Sequence, residues 1–353
     1  MRSSLRCITI LLLFVMVSCS KDDETSKATP IIKAADMSYL PLIESEGTVF
    51  LNSHGIAEDA LRTLKESGCN TIRIRLWHTP LDNHSGFNEV KLLAQRVKSL
   101  GMKVWLTVHY SDTWADPGHQ SKPSAWNNLT FNQLKIQFEQ YTAQIVTQIH
   151  PDIFQIGNEI NNGFVYPEGN LSNNEGQFLT LLASASRIIR AQSPATKIML
   201  HYAGIQGTSW FFSKTTAIDY DYIGLSYYPI WHGTDLNALQ QTLTVLGQTY
   251  SKKVLIAETS YPFTLGWNDW TNNIIGQSNQ LHPNYPATLD GQKEFLQKIR
   301  TTVQQTPNGI GFCYWGAEWI AFRGSQASNG SSWENQALWD FNFKSVSAMT
   351  VFK

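Results

Sequence analysis

The sequence predicts a single (β/α)8 barrel, and three observations predict it. Eight short apolar runs recur along the chain, with amphipathic, helix-like stretches between them. Glycines stand just before several of those runs, where a preceding helix would end in a left-handed turn. Polar, ionisable and aromatic residues collect at the ends of the runs, the edge where barrels of this type carry function. The rival architecture is an open doubly wound sheet. Its nucleotide-binding form needs a Gly-x-Gly-x-x-Gly turn after the first strand, which this chain lacks.

Taken in order, Ile32–Ser38 is the first strand and Ala57–Ser67 the first long helix, closed by Gly68. Thr71–Leu76 alternates in the period-two manner of a strand. Glu89–Ser99 is amphipathic and stops before Gly101, and Val104–Val108 is the third strand. Leu134–Ile149 leads to the fourth strand at Ile153–Ile156, and Gln177–Ala191 to the fifth at Lys197–His201. Tyr222–Ser226 is the sixth strand, Leu236–Tyr250 a helix, and Val254–Ala257 the seventh strand. Asp290–Gln305 and Gly309–Trp315 complete the set, with Gly309 again before the run.

Composition narrows the function. The 353 residues carry 27 Lys+Arg against 28 Asp+Glu, which leaves no basic excess for nucleic acid. The 42% hydrophobic content excludes an extended disordered chain. Twelve Trp beside 13 Tyr and 17 Phe suit either a large aromatic core or a groove for sugar rings. The N-terminus reads as an address. Arg2 and Arg6 precede the apolar run Ile8–Val17, and Ser18-Cys19 follows. Residues 1–18 thus resemble a lipoprotein signal peptide, with Cys19 as the lipidated residue. Ser20–Glu24 resembles the acidic surface-export tag of Bacteroidetes-type lipoproteins. Residues 19–30 read as a tether and 31–353 as the barrel. The expected location is the cell surface or outer membrane, through a lipid anchor, as a monomer. Losing the signal removes Arg2 and Arg6 and no acid, so the net charge moves from −1 to about −3.

Two carboxylates stand out. Glu159 closes the fourth strand in Ile156-Gly157-Asn158-Glu159, and Glu258 closes the seventh in Leu255-Ile256-Ala257-Glu258. A carboxylate directly after an apolar strand needs a partner or a shifted pKa. Two of them facing one barrel mouth can carry out glycoside hydrolysis, one attacking the anomeric carbon and the other moving the proton. Each Glu taken singly is also compatible with a structural ion pair to Arg73 or Arg75.

Longer motifs make a specific resemblance. They are His109–Gly118 continuing through Lys122-Pro123 to Trp126, Gly157-Asn158-Glu159-Ile160, Gly224–Pro229, Trp231-His232-Gly233, Glu258-Thr259 with Tyr261-Pro262, Tyr285–Thr288, Tyr314-Trp315 and Trp333–Leu338. In this order the chain resembles glycoside hydrolase family 53, the endo-β-1,4-galactanases, from about Ala35 to Phe343. The resemblance implies a retaining enzyme that cleaves (arabino)galactan side chains of pectin and requires no cofactor. It implies Glu159 as acid/base and Glu258 as nucleophile. The nucleophile needs a cation, for which Arg75 is the expected residue, and Asn158 is expected to donate to the sugar 2-hydroxyl. Tyr227 or Tyr228 can hold the nucleophile through its hydroxyl. Adjacent strand residues face opposite ways, and the resemblance favours Tyr227.

His109, Asp112, Trp114, Asp116, His201, Trp231 and Trp315 are the expected substrate contacts. For His109 and His201, metal ligation lacks the HExxH pattern or a third ligand at metal spacing. Asp112 and Asp116 are equally suited to turns. The loop after strand seven holds Asp269, a candidate ligand for calcium, which some bacterial relatives bind in this region. It is the sole carboxylate of that stretch. Two alternatives stand beside galactanase: a mannanase or cellulase with the same chemistry, and a surface lipoprotein that binds glycan without cutting it.

Overall fold

In the computed structural model, residues 31–353 are described; the signal, the tether and Cys19 lie outside them. Eight parallel strands close into a barrel in chain order. They are β1 (Ile32–Asp36), β2 (Thr71–Leu76), β3 (Lys103–Val108), β4 (Ile153–Ile156), β5 (Lys197–Ala203), β6 (Tyr222–Ser226), β7 (Lys253–Thr259) and β8 (Gly309–Tyr314). β1 closes on β8 with Ile32 opposite Gly311. All eight expected strands are present.

The helices are α1 (Leu40–Ser45), α2 (Ala60–Glu66), α3 (Phe87–Ser99), α4 (Phe131–Ile149), α5 (Leu171–Gln192), α6 (Thr208–Lys214), α7 (Pro229–His232), α8 (Leu236–Thr249) and α9 (Leu289–Gln305). The short α1, α6 and α7 were not foreseen, because one or two turns carry too little periodicity to read. Starts are set by side-chain caps. Thr130 and Gln133 form a capping box at α4, and Asp235 accepts from the amides of Asn237 and Ala238 at α8. Gly68 and Gly101 adopt positive φ as expected. Before β8 it is Asn308 rather than Gly309 that does so. Among the described residues, no helix is long and apolar enough to cross a membrane.

Two apolar bodies hold the fold. The larger lies between strands and helices, from Ala35 to Phe352. The smaller fills the barrel interior with Trp105, Met199, Leu255, Ala257 and Cys313. Cys69 and Cys313 are both buried free thiols, as small hydrophobes would be. Above this apolar floor the inward positions turn polar, with Asp36, Arg73, Gln155, His201 and Ser226 all buried.

Candidate active site

The barrel mouth opens into a cleft of about 520 Å³. Its lining includes Arg73, Arg75, His109, Trp114, Asp116, Asn158, Glu159, Tyr228, Trp231, Glu258 and Trp315. Strand parity explains how these side chains arrive. On β2, Arg73 and Arg75 share the inward face; on β6 the same parity runs through Gly224 and Ser226 to Tyr228. β7 breaks its parity. Leu255 and Ala257 face the interior, so Glu258 would point outward in a regular strand. The register shifts between β7 and β8 over Ile256–Thr259, and this irregularity brings Glu258 inward. Glu159 sits just beyond β4 with φ of 48°, a left-handed backbone rare outside glycine.

The two carboxylates meet, with an oxygen of each within 4.8 Å of the other. Their partners differ. Glu258 Oε1 accepts from Arg73 Nη2 at 2.7 Å, and Oε2 accepts from the Tyr228 hydroxyl at 3.1 Å. Among the described residues, Glu159 Oε1 accepts only from Ser226 Oγ, at 2.5 Å. Burial and the charge of Glu258 push Glu159 up to about 8. Burial raises Glu258 as well, with Arg73 opposing the shift; the Arg73 guanidinium and the Tyr228 hydroxyl on its two oxygens are the partners an ionised carboxylate takes. Arg73 is itself held by Asp36 Oδ2 at 2.7 Å and Asn158 Oδ1 at 2.8 Å.

Several expectations change here. The cation on Glu258 is Arg73, not Arg75. Arg73 lies two residues deeper on β2, level with the carboxylate, whereas Arg75 turns to Ser85 and His84. The hydroxyl on Glu258 belongs to Tyr228, not Tyr227; Tyr227 faces away and donates to the Gly233 carbonyl at 2.7 Å. His201 is fully buried behind Glu159 rather than on the cleft surface. Its Nδ1 accepts from Gln155 Nε2 at 3.0 Å, which leaves Nε2–H to donate to Ser226 Oγ at 2.9 Å. His201 thus aims the Ser226 hydroxyl at Glu159, and neither nitrogen is left for a metal ion. Asp112 also leaves the contact set. Its carboxylate pins loops by accepting from Thr79 N, Ser124 N and Ser124 Oγ.

The other expected contacts do line the cleft: His109, Trp114, Asp116, Trp231 and Trp315. Asp116 is at once a turn-former, accepting from Gly118 N at 2.7 Å. One amide hydrogen of Asn158 goes to the Ala115 carbonyl, and the second has no partner among the described residues. Ser226, Trp319 and Trp333 were missed. Ser226 could have been found by its strand-end parity, but the two Trp sit on the long segment after β8, which has no period to read.

Asp269 is buried with Oδ1 accepting from Thr271 N, while Oδ2 has no partner among the described residues. The fold supplies the second carboxylate that the local sequence lacks. Glu334 Oε1 accepts from Asn268 N at 2.6 Å, and its Oε2 has no partner, nor has Asn273 Oδ1. Burial, with a further push from Asp269, lifts Glu334 to about 7. Two carboxylate oxygens and an amide oxygen, buried without partners among the described residues, are the donor type that a hard cation such as calcium takes.

This geometry can be set against known proteins. The family profile described as Glycosyl hydrolase family 53 matches residues 32–352. The chain belongs to this family. As a family 53 member it resembles the "Endo-beta-1,4-galactanase" of Bacillus subtilis (strain 168), at 32% identity over 91% of this chain and 85% of the relative. It is likewise 32% identical to the "Arabinogalactan endo-beta-1,4-galactanase" of Cellvibrio japonicus (strain Ueda107), over 100% and 97% of the two chains. Among solved structures, the family 53 catalytic domain of Ignisphaera aggregans superposes with a TM-score of 0.86 at 34% identity, covering 92% of this chain and 95% of that one. A family 113 β-1,4-mannanase shares the fold alone, with a TM-score of 0.53 at 16% identity.

Proposed function

We propose that this family 53 protein is an endo-acting β-1,4-galactanase that cleaves (arabino)galactan side chains of pectin with retention. The mechanism rests on one observation: carboxylate oxygens of Glu159 and Glu258 approach within 4.8 Å. That separation suits a retaining pair, whose carboxyl groups stand about 5–5.5 Å apart, and leaves no room for the water of an inverting enzyme. Glu258, ionised and held by Arg73 and Tyr228, attacks the anomeric carbon. Glu159, protonated near neutral pH, gives its proton to the departing oxygen. It then takes a proton from water, which attacks the glycosyl ester and returns Glu258 to its starting state. The second hydrogen of the Asn158 amide is placed to donate to the sugar 2-hydroxyl.

The choice of galactan rests on the names of the relatives and on the motif His109–Trp126. A hydrolysis panel of linear β-1,4-galactan, mannan and cellulose tests it. Galactan products of several sizes, formed early with retained configuration, are the expected result. Activity on mannan or cellulose alone, or binding without any product, overturns the reading.

The same proposal places the enzyme outside the cell, tethered through lipid on Cys19. Support comes from the order of basic start, apolar run and Ser18-Cys19. Cys19→Ala is then expected to shift the protein from the membrane to the soluble fraction. Asp269, Asn273 and Glu334 would hold calcium, tying the loop after β7 to the segment after β8. A thermal midpoint that rises with calcium and falls with chelator checks this.

A further inference from the structure

Glu159 stands on an irregular piece of backbone. Gly157 and Glu159, on either side of Asn158, both take positive φ, at 73° and 48°. The chain has left β4 by this point, so the carbonyls of Asn158 and Glu159 do not join the ladder to β5. A buried carbonyl without a donor is costly. The Glu159 carbonyl accepts from Asn161 N at 2.9 Å, but no backbone amide reaches the Asn158 carbonyl among the described residues.

The donor comes from the loop after β3. Gln120 Nε2 lies 2.7 Å from the Asn158 carbonyl, 3.0 Å from that of Asp116 and 3.3 Å from that of Glu159. Three carbonyl oxygens around one end of an amide require the nitrogen at that end. Its two hydrogens serve the two shorter contacts, and the Glu159 carbonyl shares one of them. Gln120 is only 2% exposed, and its Oε1 is buried with no partner among the described residues. An apolar side chain would avoid that unmet acceptor, so packing alone does not account for an amide here.

Gln120 is itself held in place. Tyr166 N donates to its carbonyl at 2.8 Å, and Ser121 bridges to Tyr166. Lys122 pairs with Glu168 at 2.5 Å. These contacts join the loops after β3 and β4 further along, whereas the Gln120 amide grips the backbone on which Glu159 stands.

We propose that Gln120 is the positioning residue of the acid/base: its amide ties the carbonyls of Asn158 and Glu159 to the turn at Asp116 and so aims the Glu159 carboxyl at the departing oxygen. Gln120 touches no substrate and moves no proton. Its effect is on geometry, and proton transfer is lost steeply when the donor is misplaced by as little as about 1 Å. The inference rests on the acid/base role given to Glu159 above.

The test compares two substrates by kcat/KM, which reports the bond-breaking step of each. Linear β-1,4-galactan needs a proton on its leaving oxygen; 2,4-dinitrophenyl β-1,4-galactobioside has a leaving group that departs without one. Gln120→Met keeps the length of the side chain and deletes the donor. It is expected to lower kcat/KM on galactan about ten- to hundredfold and on the aryl substrate by less than about threefold, a pattern that Glu159→Ala takes further. Gln120→Glu can return one hydrogen to the Asn158 carbonyl when its carboxyl is protonated, and is expected to lose less on galactan. An equal fall on both substrates, or no fall on galactan, overturns the proposal. A control removes the neighbouring ion pair, through Lys122→Met combined with Glu168→Gln. It is expected to lower the melting temperature and leave the ratio of the two substrates unchanged. A ratio displaced there as far as in Gln120→Met overturns the proposal, because loosened loops would then explain both. Where Gln120→Met does not fold, Gln120→Glu alone decides, and an unchanged ratio overturns the role. Wild-type enzyme that cuts mannan or cellulose in place of galactan overturns the galactanase reading only; the same ratio, taken on the glycan that it cuts, then tests Gln120.

Discussion

At the scale of single residues, the site divides charge between two identical side chains. Glu258 receives Arg73 and Tyr228; Glu159 receives one hydroxyl. Glu258→Gln is therefore expected to lower kcat by roughly 10⁴-fold while leaving oligosaccharide binding largely intact, as initial rates and calorimetry would report. Tyr228→Phe removes a bond to a charged group, commonly about 1.5–3 kcal/mol, and is expected to cut kcat roughly ten- to hundredfold. Tyr227→Phe touches only the Gly233 carbonyl, so a comparable loss there would contradict the assignment. Activity is expected to fall as pH rises through about 8, where Glu159 loses the proton that it must donate. The two glutamates were legible in the sequence because each follows an apolar strand. Which arginine and which tyrosine serve them was not. Depth along β2 separates Arg73 from Arg75, and parity carried from Ser226 separates Tyr228 from Tyr227; both need register, which local sequence does not give.

At the scale of elements, strands read more reliably than helices. All eight strands announced themselves through compact apolar runs, whereas α1, α6 and α7 are too short to show a period. The irregularity in β7 was also invisible, although it turns Glu258 inward. A register shift is a relation between two strands, and neither strand carries it alone. β8 adds a second such relation. A Cβ on Gly311 would meet the Ile32 carbonyl oxygen at 2.2 Å, across the pair that closes the barrel. Backbone there cannot yield as a flexible side chain would. Gly311→Ala is thus expected to destabilise the fold by about 1–3 kcal/mol or more, seen as a lower denaturation midpoint. The exposed capping box of α4 gives a milder comparison: Thr130→Ala should cost about 1 kcal/mol.

At the scale of the whole molecule, the barrel buries at its mouth a carboxyl raised to about 8, and stability must reflect that. Glu159 titrates near 8 in the folded chain, against an ordinary value of 4.5. Between those values the folded state binds more protons than the unfolded state, so stability falls as pH rises. The contribution is absent below about 4.5, grows through the window, and levels off above 8. Glu159→Gln removes this group from the titration. Its melting temperature, less that of the wild type, should therefore be smallest near pH 4 and climb by several degrees towards pH 8. Glu258 sharpens the test. Burial is the largest cause of the shift and the Glu258 charge the second, so Glu258→Gln should narrow the window without closing it. Melting curves of the wild type and both variants from pH 4 to 9 decide the matter. A flat difference for Glu159→Gln would mean that Glu159 is ionised at neutral pH, and a protonated general acid could not then be assigned to it.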